Sequence, residues 1–167
     1  MILKKTIKNS PESIVSLALT SETLTGRSGF LLAKAAQRVR DTYDEHLKTL
    51  NMNARHAGIL TILEEKGSLA QNELGKCAYI DRTTIVALID DLEKLGLVER
   101  QEHPTDRRSH VIYMTAKGKE LMPQIGKKAK EVEKEYLGPL TASEQKSLIQ
   151  LLRKLVFHHY SMPKETR

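Results

Sequence analysis

The sequence predicts a mainly α protein with a small β wing, and three observations carry that prediction. Asp81, a good N-cap, precedes a helical pattern that sets Ile85, Leu88, Ile89 and Leu92 on one face, and Leu95-Gly96-Leu97 stops it. Two strand-like runs follow, Val98-Glu99-Arg100-Gln101 and His110-Val111-Ile112-Tyr113-Met114. Between them His103-Pro104-Thr105-Asp106-Arg107-Arg108 is a polar turn with two adjacent cations. Long segments of helical apolar spacing stand on both sides of this centre, at 27–50 and 115–160. Helix, strand, basic loop, strand describes a winged helix-turn-helix. Its helix can lie in a DNA major groove while the loop reaches an adjacent minor groove.

Taken in order, residues 1–26 form an N-terminal extension. Ser10-Pro11-Glu12 is a helix start, Ile14 to Leu19 a short apolar helix, and 21–26 a break. Residues 27–50 read as one long helix, with Leu32, Ala36, Val39, Tyr43, Leu47 and Leu50 at spacings of three and four. A head spans 51–114. It contains a helix carrying Ile59, Leu60, Ile62 and Leu63, a short helix after Ser68 with Leu74, Cys77 and Ala78 inward, and then the Asp81 helix and a two-stranded wing. Two more helices occupy 115–160. Pro123 should bend the first or shift its start, and Gly138-Pro139 separates the pair. The second has a capping box, Thr141-x-x-Glu144, and an apolar stripe at Leu148, Leu151, Leu152, Leu155 and Val156. Residues 161–167 are a tail. Helices from both ends around a central module suggest a dimerisation region, with an intramolecular bundle as the other reading. Two-fold symmetry would set two recognition helices ~34 Å apart, matching a palindromic site.

Composition narrows the partners. A chain of 167 residues with 27 Lys+Arg against 21 Asp+Glu carries +6, which favours an anionic partner without requiring one. Cys77 is the one cysteine, so no internal disulfide and no multi-cysteine metal site can form. No long apolar run and no signal-peptide pattern at Met1-Ile2-Leu3-Lys4-Lys5 predict a reduced, cytoplasmic protein without membrane contact.

The DNA-contact candidates follow from the geometry of the motif. Arg82, Thr83 and Thr84 fill the first turn of the recognition helix, with Val86 and Ala87 outward beside them. In the loop, Asp106 and Arg108 stand two apart, close enough to pair, while Arg107 faces phosphate or solvent. Ser68, Gln71 and Asn72 at the preceding helix start are phosphate candidates.

These residues also carry a resemblance. Asp106-Arg107-Arg108, then Val111, Met114-Thr115 and Lys117-Gly118, resemble the D-x-R…L-T-x-x-G wing signature of the MarR family of bacterial transcriptional regulators. Arg82 to Val86, and Asp90-x-Leu92-Glu93-x-x-Gly96-Leu97-Val98, resemble that family's recognition helix and its exit. The resemblance runs from about Phe30 to about His158. It implies a homodimer on double-stranded operator DNA, most often a repressor, with the wing Asp holding an Arg that enters the minor groove. It also implies a small aromatic or phenolic effector where the dimer helices meet the head, near Tyr43, His46, Arg55 and His56. Ala87 and Asp91 stand near positions where many members carry arginine, so fewer base contacts are expected from this helix.

Other classes find less support. The six histidines lack ligand spacing, which predicts no metal, and no cofactor motif, phosphate loop or nucleophile elbow points to an enzyme. Cys77 is expected to be a small buried hydrophobe rather than a redox sensor. The alternatives to a sequence-specific regulator are a non-specific architectural DNA binder and a winged domain used for protein contact.

Overall fold

The structure is a computed structural model in which residues 22–102 and 109–161 are described. The helix expected near Ser10 and the wing loop with Asp106, Arg107 and Arg108 lie outside the described residues. The elements are α1 (Glu22–Thr25), α2 (Ser28–Leu47), a 3-10 turn (Lys48–Leu50), α3 (Ala54–Lys66), β1 (Leu69–Ala70) and α4 (Gln71–Ala78). Then come α5 (Arg82–Lys94), β2 (Val98–Glu102), β3 (His110–Met114), α6 (Ala116–Leu137) and α7 (Ala142–Ser161). Among them no helix is long and apolar enough to cross a membrane.

Contacts divide the chain into two units, 1–42 and 43–167, with the boundary inside α2. In the first, Leu24, Leu31 and Leu32 are exposed, and the Lys34 ammonium lies 6.0 Å from the centroid of the Phe30 ring. In the second, the long helix expected over 27–50 tightens at its end. Its last three residues form a 3-10 turn closed by Asn51 at φ 54°, whose N–H donates to the Lys48 carbonyl.

The core of the second unit gathers the stripes that the spacing predicts. Ile59, Leu60 and Leu63 of α3 meet Leu74 of α4 and Ile85, Ile89 and Leu92 of α5, all 3% exposed or less. Ile112 of β3 and Met122 and Ile125 of α6 complete it, so each of these helices buries one face and leaves the other wet.

The wing is larger than expected. A two-residue strand, β1, joins it, giving an antiparallel sheet of order β1-β3-β2. Leu69 pairs with Ile112 and Ala70 with Val111, while Val98 to Glu102 pair with Met114 to His110. The sheet therefore ties the start of α4 to the strand leaving the wing.

The exit of α5 explains why the segment ends where it does. Gly96 sits at φ 71°, the left-handed C′ position predicted for it. Its N–H donates to the Glu93 carbonyl at 2.8 Å and the Leu97 N–H to the Leu92 carbonyl at 2.9 Å, a Schellman motif. Leu97 then packs in the core beside Leu92. The start of α6 docks on this turn: the Thr115 hydroxyl donates to the Gly96 carbonyl at 2.8 Å, and the Lys117 ammonium to the Leu95 carbonyl at 2.6 Å. Pro123 lies inside α6, which continues through it to Leu137.

The expectation for Cys77 is corrected: it is exposed. Leu74 and Gly75 are the buried residues of α4, so the inward direction lies between them. At ~100° per residue Cys77 falls ~110° from that direction, although it is three residues from Leu74.

Candidate nucleic-acid interface

The recognition helix is positioned from its first residue. Asp81 caps α5, its Oδ1 accepting from the Thr83 N–H at 3.1 Å and the Thr84 N–H at 3.0 Å. The Thr84 hydroxyl donates to Asp81 Oδ2 at 2.6 Å. That hydroxyl bond, followed by the backbone bonds, holds the Asp81 carboxyl below its ordinary range. Thr84 is thus spent on the cap. Arg82, Thr83, Val86 and Ala87 are exposed on the opposite side from Ile85, Leu88 and Ile89, and present one contiguous outward strip.

Behind that strip, Arg100 of β2 joins α5 to the wing, a role the sequence reading did not assign. Its guanidinium reaches Asp90 Oδ1 at 2.5 Å and Glu93 Oε2 at 3.1 Å, and donates to the Val86 carbonyl at 3.3 Å. The Arg100 backbone N–H also donates to Glu93 Oε1 at 2.9 Å. Asp90 and Asp91 do diverge, as adjacent helical residues must; Asp91 pairs with Lys94 at 3.0 Å. The signal in the sequence was a lone arginine in a strand ten residues after an acid, which no local period reveals.

Ser68 and Asn72 are exposed and Gln71 half-buried around the start of α4, where the Asn72 side chain accepts from the Glu73 N–H at 2.8 Å. Gln71 and Asn72 share a cleft with Lys76, Arg82 and His110.

Of the four effector candidates, Arg55 and His56 stand in the first turn of α3, and Tyr43 and His46 near the end of α2. Asn53 caps this helix, and His56 closes a capping box: Nδ1 accepts the Asn53 N–H at 3.2 Å while Asn53 Oδ1 accepts the His56 N–H at 3.0 Å. Asp44 of α2 adds a bond from the Ala54 N–H at 2.6 Å. An accepting Nδ1 leaves the proton of neutral His56 on Nε2, which is buried and among the described residues has no hydrogen-bond partner. Tyr43 packs on the core, and burial raises its phenol above the ordinary value. His46 lies 3.7 Å from Glu131 and 3.4 Å from Glu135 of α6, and Arg55 is exposed. Among the described residues no group of three or more His, Cys, Asp or Glu side chains is placed to hold a metal ion.

Burial holds the His56 imidazole below its ordinary value, against the opposite pull of the Asp91 and Asp44 carboxylates. The unfolded chain, with histidine near ~6.5, then binds a proton that the folded chain resists. Stability from this group is complete above about pH 6.5 and declines as pH falls from there through the lower folded value. His56→Gln keeps an acceptor for the capping box and cannot titrate. Urea midpoints are expected to fall more steeply for the wild type than for His56→Gln between pH 6.5 and 5 (a range set by about the unperturbed value). Parallel curves would place the acid sensitivity elsewhere.

Comparison with known proteins agrees with this geometry. The sequence model of the MarR family matches residues 50–109. The chain is 28% identical over 149 residues to the HTH-type transcriptional repressor NicR of Pseudomonas putida, covering 89% of this chain and 94% of that one. Its fold is similar to a variant of MarR from E. coli complexed with operator DNA, at TM-score 0.70 and 26% identity, covering 76% and 91% of the two chains. It is also similar to Bordetella bronchiseptica BpsR, whose DNA binding is regulated by 6-hydroxynicotinic acid. There the TM-score is 0.72 and the identity 25%, over 77% of this chain and 97% of that one.

Proposed function

Because the chain belongs to the MarR family of winged helix-turn-helix transcriptional regulators, we propose that it is a repressor binding a palindromic DNA operator as a homodimer. The observation that carries the reading is the exposed strip of Arg82, Thr83, Val86 and Ala87, held rigidly by a helix whose other face is core. An exposed helix start presents its side chains to a DNA groove. The wing residue Arg108, oriented by Asp106, is assigned to the adjacent minor groove, and Arg107 to phosphate or solvent. The operator-bound MarR supports the mode of binding.

Dimerisation is supported by α7. Leu151 and Leu155 are 58% and 50% exposed, and Ile149 and Val156 are also exposed, more apolar surface than one helix is expected to leave wet. A second copy would cover it.

We assign effector binding to the start of α3, with a small aromatic or phenolic acid as ligand, by likeness to BpsR. The buried, unpartnered Nε2–H of His56 is a donor that such an oxygen would satisfy, with Tyr43, His46 and Arg55 as the neighbouring candidates. An effector favouring one spacing of the two heads would shift the population away from the DNA-binding arrangement. No catalysis is assigned.

The test is selection from random duplexes at fixed salt, for wild type and Arg82→Ala/Arg108→Ala. Wild type is expected to enrich a palindrome and the double variant to lose it, by roughly 100-fold in affinity at one to three kcal/mol per arginine. Weak uniform binding that tracks salt would replace the regulator with an architectural DNA binder. A folded dimer with no affinity for any duplex would redirect attention to a protein partner.

A further inference from the structure

A cleft of about 390 Å³ opens between α4, the first turn of α5 and the start of β3. Its rim carries Asn72, Lys76, Arg82, Ser109 and His110, and among the described residues no acid lines it. Its floor is firm: Gly75 packs so closely on the next turn that a Cβ there would meet the Ile80 carbonyl oxygen at 3.3 Å and Ile85 Cγ2 at 3.4 Å. Elsewhere on the head, Lys94 is paired with Asp91 and Arg100 with Asp90 and Glu93. Among the described residues no acid pairs with Lys76 or Arg82. Glu102 stands opposite His110 in the ladder but does not line the cleft.

A concave site that carries two cations and several donors, with no acid among the described residues, suits a compact anion. The cleft adjoins the strip assigned to the major groove, so the anion that reaches it on docking belongs to the DNA backbone. We propose that this cleft seats one backbone phosphate of the duplex, gripped by Lys76 and His110 in addition to Arg82. The inference rests on the DNA-binding reading above. It gives Lys76 and His110 a duty distinct from base reading: a phosphate contact sets the register of the helix and carries no sequence preference. Lys76 and His110 come from different elements, so the seat also senses whether α4 and the wing are correctly placed.

The experiment measures affinity against salt for the full chain on two duplexes, the one enriched by wild type and one of random sequence. Lys76→Ala and His110→Ala are expected to weaken both duplexes by the same factor, roughly three- to tenfold, with the Lys76→Ala salt slope reduced by about one. Lys76→Arg should restore affinity and slope. Unchanged affinity and slope in Lys76→Ala, where wild type binds, would overturn the seat alone. A changed base preference in Lys76→Ala would also overturn it, making the lysine a base reader. Inorganic phosphate at matched ionic strength is expected to displace duplex no better than chloride. Displacement of wild type but not of Lys76→Ala would assign the cleft to a free anion instead. Wild type that binds neither duplex would remove the DNA reading itself.

Discussion

Gly118→Ala is expected to destabilise the protein by about 2–3 kcal/mol, lowering its melting temperature by roughly 5–10 °C. Gly118 is buried in the first turn of α6, its N–H bonded to the Thr115 hydroxyl at 3.1 Å. A Cβ there would stand 2.4 Å from the Leu97 carbonyl oxygen and 2.7 Å from Met114 Cγ. The methionine can rotate aside. The carbonyl cannot, because it belongs to the Schellman turn that ends α5 and already accepts the Thr115 N–H at 3.1 Å. Alanine must therefore push α6 off the end of the recognition helix, loosening Met122 and Ile125 from the core as well. Gly126→Ala in the same helix is the control. Among the described residues nothing beyond its own helix backbone lies within 4 Å of a Cβ there, so alanine gains helix propensity and should raise stability by up to about 1 kcal/mol. Opposite signs from one substitution in one helix separate packing from propensity. A Gly118→Ala protein that melts with wild type would mean that α6 does not rest on Leu97.

That contact also shows what a sequence can reveal about this fold. The T-x-x-G spacing at Thr115 and Gly118 is legible as a motif, but its cause, a close approach to a carbonyl eighteen and more residues back, is not. Local periodicities read well: the Ile85-Leu88-Ile89-Leu92 stripe, the Asp81 cap, Gly96 at positive φ, and the Thr141-Glu144 box, whose carboxylate accepts the Thr141 N–H at 2.8 Å. What escaped is non-local or too short to have a period. β1 is two residues, Leu69 and Ala70, and exists only because β3 passes beside it. Cys77 was misplaced because Gly75, which shows no hydrophobic signal, helps define the buried face of α4. His56 occupies the capping-box position usually read from Glu or Gln, so its role at the start of α3 was invisible. In the candidate site, exposure of Arg82, Thr83, Val86 and Ala87 follows from helical geometry. The commitment of the Thr84 hydroxyl to Asp81 does not.

Arg100→Ala is expected to cost about 1–3 kcal/mol of stability and, separately, to weaken binding to the selected duplex by about tenfold while broadening its sequence preference. The guanidinium is three-quarters buried and bridges Asp90 and Glu93, which stand three apart on α5 and face each other across it. Removing it leaves two partly buried carboxylates to repel, and it also releases the Val86 carbonyl. The strand it came from is the near arm of the wing. Without that clamp, β2 keeps the turn at Gly96, its ladder to β3 and the backbone bond to Glu93, but loses its side-chain tie to Asp90 and the Val86 carbonyl. Arg100→Lys keeps one charge but cannot bond both acids and the carbonyl in a planar fork, so intermediate values of both quantities are expected. A double-mutant cycle with Asp90→Ala should return a coupling of about 0.5–3 kcal/mol. Stability and DNA readouts distinguish two roles. If Arg100→Ala loses stability yet binds the selected duplex with wild-type affinity and preference well below its melting temperature, the clamp serves folding alone. If preference broadens while the fold persists, then recognition depends on a residue that faces the protein, because the wing can enter its groove in register only when β2 is pinned to the recognition helix.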